Sequence, residues 1–408
     1  MPLRFLTAGE SHGPRLSAIL EGMPAGLPVD RGALARLMAR RQAGFGTGGR
    51  MAIERDGVAI HGGVQAGHTT GAPLGITIDN LDYGAWAERD IPPMTTPRPG
   101  HADLSAALKY GYRDLRLSLE RASARETAAR VAVGGLCLQL LARFGIEIGS
   151  YVTAIGAVRA ELSDGQDGSS LADTYRTRFG AAEADELRCP DTKAAAAMRV
   201  AIQDAIRAKD TLGGTFEVVA LGLPPGLGSH VHWDRRLTGR LLAAVASVPA
   251  VKGAEIGPAF DNATLPGTAV HDRFTLGEDP ETGEAIVTRR SNRAGGLEGG
   301  ITTGEPLVVR AAMKPIATTL TPLASVDLAK GEAARTAYER SDFCSVPRAG
   351  VIAEAMLAYV LSDALLEKVG GDSITEIAPR LAALRRGRLS ELAMDDHPWR
   401  FGYDETAG

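Results

Sequence analysis

Two histidines stand in loops suited to presenting a side chain. Ser11-His12 lies between Gly9 and Gly13, beside an alternating apolar run. Pro97-Arg98-Pro99-Gly100-His101-Ala-Asp103 is a stiff turn that holds His101 next to an arginine. Imidazole titrates near neutrality, so a fixed loop histidine with cations nearby can serve as a general acid or base. A lone loop histidine is more often just solvated, and the flanking glycines and arginines argue against that here. Lys314-Pro315-Ile316-Ala317-Thr318 follows a strand-like run and offers a cation and a hydroxyl, either a phosphate grip or an ordinary surface turn. Arg121-Ala122-Ser123 opens an apolar helical run, where free N–H groups and the positive dipole end favour an anion. Plain capping by Ser123 is the simpler reading of that position. Arginines also gather beside glycines as Arg40, Arg41 and Arg50, as Arg121, Arg125 and Arg130, and as Arg289, Arg290 and Arg293. Guanidinium forks and backbone amides of this kind hold small anions.

Several familiar patterns fail on context. Gly9-Glu-Ser11-His-Gly13 fits GxSxG, but a nucleophile elbow needs a helix after the serine, and Pro14 with a strand-like run follows instead. Gly44-Phe-Gly46-Thr-Gly48-Gly49 contains GxGxxG, yet it follows a helix rather than opening one, unlike a dinucleotide-binding turn. Neither GxxxxGK[ST] nor HExxH occurs. Cys137, Cys189 and Cys344 are odd in number and far apart, so neither a disulfide framework nor a metal site is expected.

Composition narrows the classes further. The 408 residues are 44% hydrophobic and carry 45 basic and 49 acidic side chains, a net charge of −4. That apolar share excludes wholesale disorder, and the charge argues against a dedicated nucleic-acid binder. No apolar stretch approaches the ~18 residues of a membrane span, and the N-terminal residues lack a signal-peptide core. The expectation is a cytoplasmic protein without nucleic-acid or membrane partners. Glycine, at 49 residues, is enriched, which implies many tight turns and close backbone approaches.

The elements that must position these loops announce themselves by caps and alternation. Asp30, Asp191 and Asp234 each precede a helical run, and Ser123-Ala-Arg-Glu126 reads as a capping box opening a helix to about Phe144. Residues 349–368 form another apolar helix. Leu16–Leu20, Val58–Ile60, Leu74–Ile78, Phe216–Leu221 and Leu307–Arg310 read as strands. Residues 160–190 are polar and weakly patterned, as for a peripheral insertion, and the tail after about Arg380 suggests no role. A repeat is visible. Gly13, Gly22, Pro24, Gly26 and Leu27 recur 200 residues later, and Thr69-Thr-Gly-Ala-Pro-Leu74 recurs as Thr302-Thr-Gly-Glu-Pro-Leu307. Two halves, roughly 1–150 and 200–370, would then build one pseudo-symmetric α/β (α+β) domain spanning 1–408, with antiparallel strands beside long helices.

Together these loops resemble the chorismate synthase family. The resemblance is carried by Thr7-Ala-Gly-Glu-Ser-His-Gly13, Arg98-Pro-Gly-His-Ala-Asp103, Leu119-Glu-Arg-Ala-Ser-Ala-Arg-Glu-Thr-Ala-Ala-Arg130 and Asp210-Thr-Leu-Gly-Gly214. It continues through Leu297-Glu-Gly-Gly-Ile-Thr-Thr-Gly304, Met313-Lys-Pro-Ile-Ala-Thr318 and Glu339-Arg-Ser-Asp342, in family order. It implies a homotetramer of β-α-β sandwich subunits. It also implies a lyase that converts 5-enolpyruvylshikimate 3-phosphate to chorismate, needing reduced FMN without net redox change. By this resemblance His101 protonates the departing phosphate, His12 supports the reduced flavin, and Asp342 assists removal of the ring proton. FMN contacts map to Arg121, Ala122, Ser123, Pro249, Ala250, Gly299, Lys314 to Thr318, and Arg340. The anionic substrate, or NADPH as reductant, maps to Ser11, Arg41, Thr47, Arg50 and Arg125. Thr47 departs from the family pattern, where relatives often carry arginine, and this suggests reliance on an external flavin reductase. A flavin oxidoreductase on the same site, or a non-enzymatic anion-binding module, are the competing readings.

Overall fold

The computed structural model describes residues 2–47, 56–162, 170–339 and 341–398. Two antiparallel sheets flank a layer of helices. The first sheet has the strand order Arg4–Ala8, Arg15–Glu21, Leu74–Asp79, Val58–Ile60. Alternation decides which face turns inward: Leu16, Ala18, Leu20, Leu74, Ile76 and Ile78 are all buried. The second sheet runs Val251–Ile256, Leu307–Met313, Gly214–Leu221, Glu147–Ile155, Val158–Arg159.

Helices Arg31–Gln42, Thr127–Ala142, Leu237–Ala246 and Val346–Val369 fill the space between. Thr127–Ala142 and Val346–Val369 cross so tightly that a Cβ added at Gly134 would lie 2.4 Å from that of Ala355. Val346–Val369 is long and apolar enough to cross a membrane, but 89% of its most apolar window is buried inside the protein. Glu354 and Asp363 interrupt the run, which hid its apolar length from a count of consecutive residues.

Caps explain two helix starts and correct two expectations. Asp30 accepts from the Ala33 amide at 2.9 Å, and Asp191 from the Lys193 and Ala194 amides at 3.0 Å. Asp234 does not cap. It pairs with His232, and the helix opens at Leu237, whose amide donates to Gly300 O at 3.0 Å instead. Ser123 accepts from the Arg125 amide, but Glu126 does not close a capping box; it binds Thr7 at 2.7 Å and Arg130 at 2.8 Å. Arg121-Ala122 ends the helix Arg116–Ala122 rather than opening the next one, which starts at Thr127 after a short 3-10 turn.

Within the stretch 160–190, helix Leu171–Glu183 packs Tyr175, Phe179 and Ala182 onto Tyr151, Val219, Leu221 and Val308. It therefore covers the outer face of the second sheet instead of hanging at the periphery. The first sheet has no such cover among the described residues, and Leu6 and Ile19 on its outer face are 70% and 54% exposed. Beyond Arg380 the chain is also engaged: Arg388 pairs with Asp279 at 2.5 Å and Gly387 O accepts from Val287 N.

Two turns, one near each Thr-Thr-Gly stretch, share one hydrogen-bond frame. Thr69 Oγ1 donates to Pro24 O and accepts from the Leu27 amide, while Thr302 Oγ1 donates to Pro224 O and accepts from the Leu227 amide. Register agrees as well. Leu20 faces Leu74 and Ser17 faces Thr77, as Ala220 faces Leu307 and Glu217 faces Arg310.

Candidate active site

The loop joining the first two strands is pinned from three sides. Gly9 has φ +113, and a Cβ there would sit 2.5 Å from Arg15 O, so no side chain fits. Asn80 Nδ2 donates to Ser11 O at 3.1 Å and to Gly13 O at 2.9 Å, and the Ser11 amide donates to Glu120 O. His12 donates its backbone amide and its ring Nδ1 to Glu120, each at 2.7 Å, and its ring lies 4.1 Å from that of Trp86, centroid to centroid. Burial alone would lift the Glu120 carboxyl, but the His12 hydrogen bonds outweigh it and hold the group below its ordinary value. Ser11, which is buried, donates to Ser123 Oγ at 3.0 Å. Arg121 reaches Thr7 Oγ1 at 2.9 Å and Thr7 O at 3.2 Å.

Arg41 and Arg125 meet here, but around a carboxylate of the protein itself. Arg41 Nη2 pairs with Asp56 Oδ2 and Arg125 Nη1 with Asp56 Oδ1, and all three side chains are buried. The two cations are thus preassembled around Asp56. Arg50 and Arg340 lie outside the described residues. Thr47 is half-buried and follows Gly46, whose carbonyl accepts from the Phe343 amide at 2.9 Å.

The second histidine has its own carboxylate. His101 Nδ1 donates to Asp103 Oδ1 at 2.6 Å, and Arg98 binds both oxygens of the same group. Asp103 has no exposed surface. Burial would raise its pKa, yet the His101 and Arg98 hydrogen bonds drive it well below the usual carboxylate range. Arg98 Nη1 also reaches Thr318 Oγ1 at 3.3 Å, and Lys314 Nζ donates to Gly100 O. The segment Lys314–Thr318 is therefore brought against the His101 turn, with Ala317 3.6 Å from the Cβ position of Gly100.

Hydrogen bonds join these groups. The Lys314 amide donates to Ala250 O, placing Pro249-Ala250 alongside, with Ala250 at φ +67. Thr211 Oγ1 donates to Ile316 O, and the neighbouring Leu212 amide donates to Phe343 O, next to Asp342. Asp342 is fixed by Arg348 at 2.5 Å and Ser345 Oγ at 2.8 Å. From the other side, Arg121 and Glu126 share Thr7, Glu126 binds Arg130, and Arg130 donates to Ser247 Oγ at 2.9 Å, just before Pro249. Gly299 sits on a short hairpin beside His230.

The arginine clusters are partly structural. Arg40 is consumed by Glu183 and Glu354, Arg130 by Glu126 and Ser247, and Arg289 by Glu298. Conversely, sequence reasoning gave no role to Glu120, Asp103, Asp56 or Trp86. Asp103 carried a local signal, two residues from His101 in a turn. Asp56 carried none, because its partners lie 15 and 69 residues away.

Comparison with known proteins identifies the family. The family model for chorismate synthase matches residues 3–366. A chorismate synthase from Thermobifida fusca is 48% identical over 406 residues, covering 96% of this chain and 99% of the relative. One from Symbiobacterium thermophilum is 50% identical over 407 residues, covering 96% and 100%. A solved chorismate synthase structure superposes with a TM-score of 0.75 at 42% identity, covering 94% of this chain and 97% of the other. With matches of this extent and identity, the chain belongs to the chorismate synthase family.

Proposed function

We propose that the protein converts 5-enolpyruvylshikimate 3-phosphate to chorismate and inorganic phosphate by trans-1,4 elimination, with reduced FMN bound in the site and no net redox change. The observation that carries this reading is the pair of histidines, each tied through Nδ1 to a carboxylate and each beside assigned anion contacts. The reaction breaks one C–O and one C–H bond and forms a C=C bond, so the site must supply a proton to phosphate and accept one from the ring. His101, anchored at Nδ1 by Asp103, acts through Nε2 as the acid toward the leaving phosphate. Asp342, oriented by Arg348 and Ser345, is the carboxylate toward the ring proton. Arg41 and Arg125 place fixed positive charge where the polyanionic substrate must be desolvated.

The residues present suit FMN. Arg121 and Lys314 are cations, Ser123 and Thr318 offer hydroxyls, and Ala250, whose carbonyl accepts from the Lys314 amide, turns its backbone through a left-handed conformation. Reduced FMN, when bound, supplies an electron-rich ring next to the substrate. His12 is the residue that holds a proton toward it. The same reading makes the protein a cytoplasmic homotetramer built from two duplicated halves, and makes NADPH a reductant used indirectly, through a separate flavin reductase. The matched registers and the Thr69 and Thr302 frames support the duplication.

Stoichiometry tests the reading against a flavin oxidoreductase. Anaerobic incubation with substrate and dithionite-reduced FMN is expected to yield many chorismate and phosphate molecules per reduced flavin. One equivalent of reductant oxidised per product would overturn it.

A further inference from the structure

We propose that Glu120 is a positioning residue for His12, clasping its backbone amide and its ring Nδ1 so that the imidazole acts through Nε2. The inference rests on the reading of His12 as a proton-holding group. A carboxylate held in its ionised form can only accept hydrogen bonds, so the Nδ1 atom 2.7 Å from Oε1 carries the hydrogen. The second oxygen takes the His12 amide at 2.7 Å, which fixes the backbone from which the ring projects. One carboxylate thus sets both the tautomer and the direction of the side chain.

The surroundings restrict the ring further. Trp86 lies against it at a 43° interplanar angle, and the Trp86 indole N–H is itself held by Asp82 at 3.1 Å. The His12 and Glu120 side chains are both only 15% exposed, so water competes little for the bond. Glu120 also sits next to Arg121 on helix Arg116–Ala122. A single element therefore positions the imidazole and an assigned flavin contact together. This differs from the His101 pair, where Asp103 also binds the buried Arg98 guanidinium and serves the fold as well as the histidine.

The test compares Glu120→Gln and Glu120→Ala with His12→Ala, using the full chain and reduced FMN under anaerobic conditions. Steady-state chorismate formation is read together with the imidazole 15N NMR signals of His12. Glu120→Gln keeps the size but removes the charge. We expect kcat to fall on the order of 10–10²-fold, as for other partners that orient a functional imidazole, with KM changed far less. The His12 15N pattern should move from Nδ1-protonated toward mixed tautomers. Wild-type kcat and an unchanged 15N pattern in Glu120→Gln, with His12→Ala inactive, would overturn the clasp. Full activity in His12→Ala would instead remove the reading of His12, while the 15N pattern still decides whether Glu120 sets the tautomer.

Discussion

Replacing Asp103 by Asn tests the most strongly held group in the site. Asp103 Oδ2 accepts from the Arg98 backbone amide at 3.0 Å and Arg98 Nε at 2.8 Å, and Oδ1 accepts from Arg98 Nη2 at 3.0 Å and His101 Nδ1 at 2.6 Å. Whichever way an asparagine amide is turned, its NH₂ meets two donors. The Arg98 side chain, 5% exposed, is left without a counter-charge. Removing one partner of a buried ion pair costs about 3–5 kcal/mol, and the variant should lose that much in urea unfolding. The carboxyl is held below its unfolded value, so its contribution is complete above pH ~4 and lost only as pH falls through the lower folded value. The part of the deficit that comes from the carboxyl's own titration should therefore be flat between about pH 5 and 8. Chorismate formation should fall by about 10²–10⁴, because His101 loses the anchor that directs its proton. Stability within ~1 kcal/mol of wild type together with normal turnover would refute the reasoning.

Three further outcomes follow from the same structure. His101→Ala should lower turnover by about 10²–10⁴ while FMN affinity, followed by flavin fluorescence, stays nearly intact; near-normal turnover would remove His101 as the acid. Thr69→Val and Thr302→Val each strand a buried amide and should each cost about 1–3 kcal/mol in chemical denaturation, and a large cost at one with none at the other would argue against equivalent frames. Thr47→Arg should tighten binding of an anionic substrate analogue by up to about 1–3 kcal/mol, and the unmodified protein should reduce FMN with NADPH far more slowly than it forms chorismate. Matching rates would contradict the dependence on an outside reductase.

Local features were readable from the chain, and non-local partners were not. Alternation located Leu16–Leu20 and Leu74–Ile78 inside their strands, because burying one face of a sheet imposes a period of two. Asp30 and Asp191 were legible because a capping side chain acts on amides two or three residues away. Asp234 misled for the opposite reason: Gly300, distant in sequence, supplies the acceptor for the Leu237 amide. Helix Leu171–Glu183 was obscured since its apolar set is small and meets a sheet face built from three separate strands. In the site, the turn around His101 showed itself through Pro99 and Gly100. The Arg41–Asp56–Arg125 triad did not, because no pattern in a single stretch of chain marks a carboxylate shared across such separations.

The hydrogen-bond path from Thr7 through Glu126 and Arg130 to Ser247 has a consequence for folding. It crosses a seam, since Arg121–Ser123 belong to the first half of the chain and Pro249–Ala250 with Lys314–Thr318 to the second. A ligand that touches Ser123 and Lys314 together can bind only a molecule whose halves have already docked. Its binding free energy is then added to the cohesion of the seam, in proportion to the logarithm of its free concentration. Such a ligand would act as a reversible cross-link between the first and second parts of the chain.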